Sequence, residues 1–216
     1  MNQLARFIES TNLNPQITGK EVDFLVSEAK DLQVLGVCVP PFWVKRASRE
    51  IASADMQLVT VVGFPLGYQM TETKIEEARL ALRDGANELD LVMNVSAFKD
   101  GMPWPKVEFA KMSKLAHEHE ALLKVIIEVA YLSDEEICRA ARLCADAGVD
   151  FVKTSTGFAR GGEATVEHIA LLRGTLPSSV GIKASAGIKT RTQVEKLLAA
   201  GADRIGTSSA RDILMN

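Results

Sequence analysis

Short apolar segments alternate with longer amphipathic segments along the whole chain. Segments of about six residues rich in Val, Ile and Leu are typical of buried strands, whereas apolar residues that recur every three or four positions are typical of helices. The pattern predicts eight strands, of which the first has the weakest signal. They cover residues 5–10, 34–39, 57–62, 87–93, 122–127, 149–154, 180–184 and 203–207.

The segments between the strands carry helix start and stop signals. A hydroxyl residue followed three positions later by Glu or Gln forms a capping box, in which the two side chains bond backbone amides left free at the helix start. Glycines in RDGANELDLV, ADAGVDFVKT and AAGADRIGTS fit a left-handed helix stop shortly before a strand. The predicted capping boxes are Thr18 with Glu21, Ser133 with Glu136, and Thr190 with Gln193.

Strands that alternate with helices favour an α/β fold with a parallel sheet. Eight such units, without a Pro-, Gly- or Ser-rich linker between them, predict a single domain over residues 1–216 that closes into a (β/α)8 TIM barrel. About 250 residues is more usual for this fold. Because only SSARDILMN follows the last predicted strand, the final helix is expected to be short.

Composition and charge narrow the classes of partner. The chain is 47% hydrophobic and 25% charged, as in ordinary globular proteins. Its formal net charge is −3 and no basic run stands out, so we expect neither a nucleic acid nor a membrane as partner. No apolar run approaches the roughly 20 residues that span a bilayer, and the first residues lack the long apolar core of a secretory signal. These features predict a cytoplasmic protein.

The cysteines and histidines give no metal site. An odd number of cysteines cannot all pair within the chain, so we expect reduced thiols, as in cytosolic proteins. Two of the histidines are two positions apart on a predicted helix and point in different directions, and the third has no neighbouring ligand. The residues concerned are Cys38, Cys138, Cys144, His117, His119 and His168.

Alternation along the strands places several polar side chains on the inner face of the predicted barrel. In NELDLVM, apolar residues at alternate positions face the helices, which leaves Glu88, Asp90 and Val92 facing the barrel axis. The same alternation turns Lys124, Lys153 and Lys183 inward from three later strands, together with Cys38 from the second strand. We interpret Cys38 as a small buried hydrophobe. The lysines and the aspartate therefore converge on one interior.

Three lysines in a confined space with few acids point to amine chemistry. Crowded cations and loss of water both disfavour the ammonium form, so at least one lysine is expected to have a lowered pKa. A neutral buried amine attacks carbonyl groups and forms an imine. Lys153 and Lys183 lie near the C-terminal ends of their strands, where the active sites of such barrels form. We therefore predict that both are catalytic.

A buried ion-pair network is the alternative interpretation of the same residues. In such a network Asp90 would bridge two lysines and fix the register of the barrel, and pKa values would shift as well. Lys124 fits this structural role best, because VIIE follows it and places it deep in the barrel.

Three loops at the same end of the barrel are rich in small and hydroxyl residues: TSTG at 154–157, ASAG at 184–187 and GTSS at 206–209. The last two follow the seventh and eighth strands, where barrels of this kind commonly bind phosphate. Glycine lets backbone amides approach an oxyanion, and serine hydroxyls donate to it. Simple turns and helix caps are the alternative. The predicted substrate-binding residues are Gly157, Ala186, Gly187, Gly206, Ser208 and Ser209.

Two further loops have less specific signals. GFPLGYQMTETK at 63–74 could close over a substrate, although a plain connection between strand and helix fits it equally well. GMPWPK at 101–106 is typical of a turn with an exposed Trp104. An exposed tryptophan and an apolar helix face are compatible with a homodimer or a higher homo-oligomer.

The sequence resembles the deoxyribose-phosphate aldolase family over nearly its whole length. The motifs that carry the resemblance are VCVPPFW, TVVGFPLG, ELDLVMN, LLKVIIE, DFVKTSTGF, GIKASAGIKT and RIGTSS. The resemblance implies a (β/α)8 barrel that needs no metal or other cofactor. It also implies reversible cleavage of a small-molecule sugar phosphate, 2-deoxy-D-ribose 5-phosphate, to acetaldehyde and D-glyceraldehyde 3-phosphate.

The same resemblance implies roles for particular residues. The lysine of VKTSTG, here Lys153, would form the imine with the substrate. The lysine of KASAG, here Lys183, would be the second cation. The aspartate of ELDLVMN, here Asp90, would relay protons as acid and base. The phosphate would bind at the three loops described above.

The chain departs from the family pattern in two places. IESTNLNP stands where many members have an Asp-His-Thr-Leu-Leu-Lys-like block, so Glu9 takes the position of an aspartate, and Ser10 and Asn14 also differ. Ala186 replaces a glycine of the phosphate loop, and its methyl group is expected to crowd the phosphate. Two alternatives to the family reaction stay open: another Schiff-base aldolase on the same barrel, and a non-catalytic sugar-phosphate binding protein.

Overall fold

The strands form a closed parallel barrel in the computed structural model, which describes residues 3–215. Each strand pairs with its successor in the sequence, and the eighth pairs with the first. This arrangement confirms the predicted (β/α)8 barrel. The strands are β1 Ile8–Thr11, β2 Gly36–Val39, β3 Gln57–Val62, β4 Glu88–Val92, β5 Leu122–Ile126, β6 Phe151–Lys153, β7 Gly181–Ser185 and β8 Arg204–Thr207.

Helices connect the strands and surround the barrel. The α-helices are α1 Gly19–Leu32, α2 Val44–Ile51, α3 Thr71–Arg83, α4 Val95–Lys99, α5 Trp104–Glu118, α6 Asp134–Asp146, α7 Val166–Thr175, α8 Arg191–Ala199 and α9 Ala210–Met215. The last of them is short, as expected. Short 3-10 turns cover Gln3–Phe7, Pro41–Trp43 and Val129–Tyr131. Within residues 3–215, no helix combines the length and the apolar character needed to cross a membrane.

The predicted capping boxes begin α1, α6 and α8. In each box the Glu or Gln side chain accepts a hydrogen bond from the backbone amide of the hydroxyl residue. Because these amides have no partner inside the helix, the boxes help to fix where the three helices start.

The first strand begins later than predicted. The other seven predicted strands agree with the structure to within two residues at each end. Gln3–Phe7, however, forms a 3-10 turn, so β1 begins only at Ile8. Ala5 and Ile8 are both buried, whereas Phe7 is 39% exposed. A three-residue spacing of buried side chains fits a 3-10 turn better than the two-residue alternation of a strand.

The main apolar core lies between the barrel and the helices. Side chains on the outer faces of the strands are buried in it, among them Leu89, Leu91, Leu123, Val125, Val152 and Ile182. A separate cluster of Cys38, Val59 and Val61 occupies the inner face of β2 and β3. Cys38 is fully buried, as expected, and burial raises the pKa of its thiol to about 11. All three cysteines are free thiols.

Candidate active site

Asp90 is the centre of the polar cluster inside the barrel. It is fully buried, and its Oδ2 atom accepts hydrogen bonds from Lys153 Nζ and Lys183 Nζ, each over 2.7 Å. Its Oδ1 atom accepts one from Lys124 Nζ over 3.0 Å. Strand register explains the convergence, because Lys153 pairs with Lys183 between β6 and β7, and Asp90 pairs with Lys124 between β4 and β5. The four side chains predicted to point inward therefore meet.

The interior holds more acids than the sequence led us to expect. Glu88 lies 2.5 Å from Lys124 Nζ and accepts from Arg204 over 2.8 Å. Glu9 accepts from Lys183 and lies 3.3 Å from Arg204. The expectation of few acids was wrong because Glu9 enters through the register of β1, which places it opposite glycines of β2 and β8. Three carboxylates thus face three lysines and one arginine.

The ion pairs decide the charge states of the buried groups. Burial by itself raises the pKa of Asp90, but the lysines outweigh burial and hold that pKa well below its usual range. Burial lowers the pKa of Lys183, yet Asp90 and Glu9 more than compensate, so the pKa of Lys183 is raised. The pKa of Lys124 is raised for the same reason. The crowding of lysines therefore does not lower the pKa of Lys124 or Lys183, because the neighbouring carboxylates stabilise the charged form of each.

Lys153 connects this cluster to a cavity of about 640 Å³ at the C-terminal ends of the strands. Its side chain is 4% exposed, whereas those of Lys124 and Lys183 are completely buried and do not line the cavity. Lys124, which also lies 3.7 Å from Glu9, has the deep ion-pair position expected for a structural residue. A lysine amine at a cavity wall can reach the carbonyl group of a bound substrate, which imine formation requires.

The glycine-rich loops line the same cavity as Lys153. Of the six residues predicted to bind substrate, five line it: Gly157, Ala186, Gly187, Gly206 and Ser208. Three residues of the 154–157 and 184–187 loops have a left-handed backbone conformation, with φ of 85° at Gly157, 79° at Ala186 and 74° at Gly187. Such turns direct backbone amides toward a concave surface that favours anions. The geometry is thus compatible with a phosphate.

Ser209 does not line the cavity, in contrast to the other predicted binding residues. Its amide donates to the hydroxyl of Thr207 over 3.0 Å, and its carbonyl accepts from Ile213 of α9 over 3.0 Å. Ser209 therefore belongs to the start of the last helix. The sequence could not separate it from Ser208, because the two serines are adjacent and the helix start falls directly after them.

The cavity also includes residues that the sequence did not single out. Phe24, Thr156, Phe158 and Lys189 line it. The ring of Phe158 packs edge-on against Phe64, with centroids 5.2 Å apart. Ser10 and Asn14 of the atypical N-terminal block line the cavity as well. For Thr156 and Phe158 the signal was present, since both lie in the DFVKTSTGF motif.

Metal binding has no structural basis in the part of the chain that the structure describes. Within residues 3–215, no group of three or more His, Cys, Asp or Glu side chains is arranged to hold an ion. The carboxylates of the barrel interior are instead paired with lysine and arginine side chains.

Comparison with known proteins identifies the family. Residues 8–216 match the DeoC/LacD family of aldolases. The chain belongs to the DeoC/LacD aldolase family. It is 46% identical to a deoxyribose-phosphate aldolase of Bacillus cereus and, separately, to one of Bacillus anthracis, over 99% of this chain and 95% of each relative. The resemblance noted in the sequence is thereby confirmed.

Solved structures of DeoC/LacD-like aldolases have the same fold. The aldolase QR15 superposes with a TM-score of 0.94 at 38% identity, covering 100% of this chain and 96% of that one. A deoxyribose phosphate aldolase from Aeropyrum pernix, described as a unique tetramer, superposes with a TM-score of 0.91 at 34% identity, covering 98% of this chain and 89% of that one. The barrel fold of this chain is thus the one found in these two aldolases.

Proposed function

We propose that this aldolase cleaves 2-deoxy-D-ribose 5-phosphate reversibly to acetaldehyde and D-glyceraldehyde 3-phosphate, through an imine on Lys153. The observation that carries the proposal is the position of Lys153, whose amine lines the cavity while it bonds Asp90 over 2.7 Å. The names of the Bacillus relatives support the choice of substrate.

The ion pairs of the cluster do not depend on Lys153. An amine attacks a carbonyl carbon only as the free base, so Lys153 has to react as the uncharged amine. Asp90 pairs with Lys124 and Lys183, Glu88 with Lys124 and Arg204, and Glu9 with Lys183 and Arg204. Each carboxylate therefore keeps a cationic partner when Lys153 forms an imine, and no buried carboxylate of this cluster is left unpaired.

The bond-breaking step uses the imine as an electron sink. The Lys153 nitrogen attacks the aldehyde carbon of the open-chain sugar, and water leaves to give a protonated imine. Asp90, directly or through a water, then accepts the proton of the 3-hydroxyl. The carbonyl of glyceraldehyde 3-phosphate forms while the C2–C3 bond breaks, and the electron pair of that bond passes to the iminium nitrogen. General acid–base catalysis of this kind gives about 10²–10⁴-fold.

The second half of the cycle regenerates the amine. The enamine left on Lys153 takes a proton at C2, and water hydrolyses the resulting imine to free acetaldehyde. Lys183 remains cationic and bonds the same Asp90 oxygen as Lys153, so it stabilises the negative charge on Asp90 between proton transfers. The loop residues Gly157, Gly187 and Ser208 hold the phosphate, which orients the C2–C3 bond toward Lys153.

Imine trapping tests the proposal. Incubation with acetaldehyde and borohydride should leave a stable alkyl adduct on the peptide that contains Lys153, and Lys153→Met should show none. An exposed lysine variant, Lys45→Met, should behave like the wild type. A folded wild-type protein without an adduct would remove the imine mechanism.

Rates of cleavage for several phosphorylated sugars and keto acids then separate the proposed reaction from that of another Schiff-base aldolase. Binding of the sugar phosphate without turnover would indicate a sugar-phosphate binding protein.

We further propose that the protein is a cytoplasmic homo-oligomer. Its three free thiols support a reducing compartment. Tyr68, Met70, Met102 and Trp104 are 46–71% exposed and line one groove, which supports a contact between copies there. Light scattering should show a dimer or larger assembly that Trp104→Glu dissociates. A monomeric wild type at micromolar concentration would contradict the assembly.

A further inference from the structure

Glu128 is a buried acid beside the active site that no step above uses. It lies two residues after the end of β5, is 3% exposed, and has φ of 57° and ψ of 73°. Residues other than glycine rarely adopt this left-handed conformation, and strained residues of this kind cluster at active sites and ligand clamps. The backbone cost indicates that the surrounding contacts hold Glu128 in place.

The carboxylate of Glu128 is directed at one residue of the loop after Lys153. Its Oε2 atom accepts from the amide of Thr156 over 3.2 Å and from the hydroxyl of Thr156 over 2.5 Å. Its Oε1 atom has no hydrogen-bond partner among residues 3–215. A backbone bond of 3.0 Å from Val129 to Thr154 joins the same two segments. The side-chain hydrogen bonds of Glu128 therefore go to Thr156 of the 154–158 loop, while its backbone carbonyl accepts from Tyr131 over 3.1 Å.

The bond to Glu128 limits how the Thr156 hydroxyl can interact with a molecule in the cavity. A hydroxyl has one proton to donate and two lone pairs to accept with. Thr156 donates its proton to Glu128, and one lone pair accepts from the amide of Phe158 over 3.1 Å. One lone pair remains, and Thr156 lines the substrate cavity. Toward a substrate, Thr156 can therefore only accept a hydrogen bond.

The surroundings of Glu128 make this bond hard to replace with water. Glu128 and Thr156 border a second, small cavity of about 50 Å³, whose wall includes Val92, Val95 and Tyr131. Burial raises the pKa of the Glu128 carboxyl, while the two bonds from Thr156 and the nearby Lys153 act in the opposite direction. In such a site, hydrogen bonds are electrostatically stronger than in water.

We propose that Glu128 is a positioning residue of the substrate cavity: by taking the proton of Thr156 it fixes the 154–158 loop and makes Thr156 an obligatory hydrogen-bond acceptor. The role deepens the function proposed above and rests on it. It concerns substrate fit, because Glu128 shares no hydrogen bond with Lys153 and acts on it only through its charge, whereas both side-chain hydrogen bonds of Glu128 come from Thr156.

Kinetics of Glu128→Ala and Glu128→Gln test the proposal. Glutamine keeps an oxygen that accepts both bonds from Thr156, whereas alanine removes them. For Glu128→Ala we expect KM for the sugar phosphate to rise about 10- to 100-fold, with trapping of the acetaldehyde imine nearly unchanged. Glu128→Gln should stay within about 3-fold of the wild type. Glu135→Gln, on the exposed start of α6, is the matched control.

A second measurement keeps the test independent of turnover. Amide hydrogen exchange in the 154–158 peptide should accelerate in Glu128→Ala and not in Glu128→Gln. Should Glu128→Ala fail to fold, Thr156→Val, which keeps the shape and removes the hydroxyl, should raise KM and speed exchange to a similar degree. A folded Glu128→Ala with wild-type KM, or a Glu128→Gln as impaired as the alanine variant, would overturn the proposal. Absence of the imine in the wild type would instead overturn the proposed function.

Discussion

Lys153 and Lys183 donate hydrogen bonds to the same oxygen of Asp90, each over 2.7 Å. Their nitrogens are therefore no more than two such bonds apart, although only Lys153 lines the cavity. One of the two lysines can react with substrate while the other stays buried and charged. The two lysines thus differ in role because Lys183 lies deeper in the barrel than Lys153, although both are the same type of residue.

The first prediction concerns Lys183→Met. Loss of this cation removes a partner from both Asp90 and Glu9 and disturbs the proton transfers near Lys153. We expect kcat for cleavage to fall by about 10²–10⁴-fold. Steady-state kinetics with circular dichroism as a check of the fold measures this, with the exposed Lys45→Met as control. A folded Lys183→Met with more than a tenth of wild-type kcat would contradict the assigned role.

The second prediction concerns stability against pH. Ion pairs lower the pKa of Glu9 and Asp90 in the folded state, so these groups stabilise the fold above their unfolded pKa of about 4 and lose that contribution as pH falls through the folded values. Lys183 has a raised pKa, so its contribution is complete below about pH 10 and is lost only as pH rises through the folded value. The buried thiols of Cys38 and Cys144 also have raised pKa values, so stability falls as pH rises above the unfolded thiol pKa of about 8.5. We therefore expect a plateau of stability between about pH 5 and 8.

Urea denaturation at a series of pH values measures this plateau. Glu9→Gln should lower stability near pH 7 and make the decline between about pH 5 and 3 shallower, since one linked carboxylate is gone. Glu135→Gln, at an exposed site, should keep the wild-type slope. A wild-type stability that stays constant down to pH 3 would show that these ion pairs do not contribute as described.

The third prediction concerns the buried pair of Lys74 and Glu108. Lys74 Nζ donates to Glu108 over 2.7 Å and to the carbonyl of Val92 over 2.9 Å, and both charged side chains are at most 4% exposed. Lys74→Met leaves an unpaired buried carboxylate, so we expect a loss of about 3–5 kcal/mol in the free energy of unfolding. Adding Glu108→Leu should recover most of it. Urea denaturation measures the free energy of unfolding of both variants. A loss below about 1 kcal/mol in Lys74→Met would contradict the prediction.

The fourth prediction concerns the methyl group of Ala186. With φ of 79°, Ala186 has a conformation that costs a non-glycine residue about 1–2 kcal/mol. The greater entropy of unfolded glycine offsets part of that, so Ala186→Gly should raise stability by about 0.5–1 kcal/mol. If the methyl group crowds the phosphate, KM for the phosphorylated sugar should also fall.

Ala52→Gly is the matched control for this prediction. Ala52 also has a positive φ, of 51°, but lies on the exposed end of α2, away from the cavity. It should gain stability without a change in KM. Equal KM values for Ala186→Gly and the wild type would show that the methyl group does not touch the phosphate site.

The inward direction of the reactive side chains could be predicted because it depends on local rules. Two-residue alternation along β4, β6 and β7 places Asp90, Lys153 and Lys183 on one face, whatever the rest of the chain does. The fold class followed in the same way, since helices and strands differ in the period of their apolar residues. Chain-wide motifs then pointed to the aldolase family, which the comparisons confirm.

What the sequence by itself determined about this protein is therefore its barrel, its family and the convergence of Asp90 with three lysines. Only the tertiary structure decided which partners those lysines have. Glu9 and Lys183 are 174 residues apart in the sequence. They meet because β8 and β1 close the barrel in a register that pairs Glu9 with Gly206. A slip of one residue in that register would turn Glu9 out of the interior, and register depends on the packing of the whole barrel rather than on neighbouring residues.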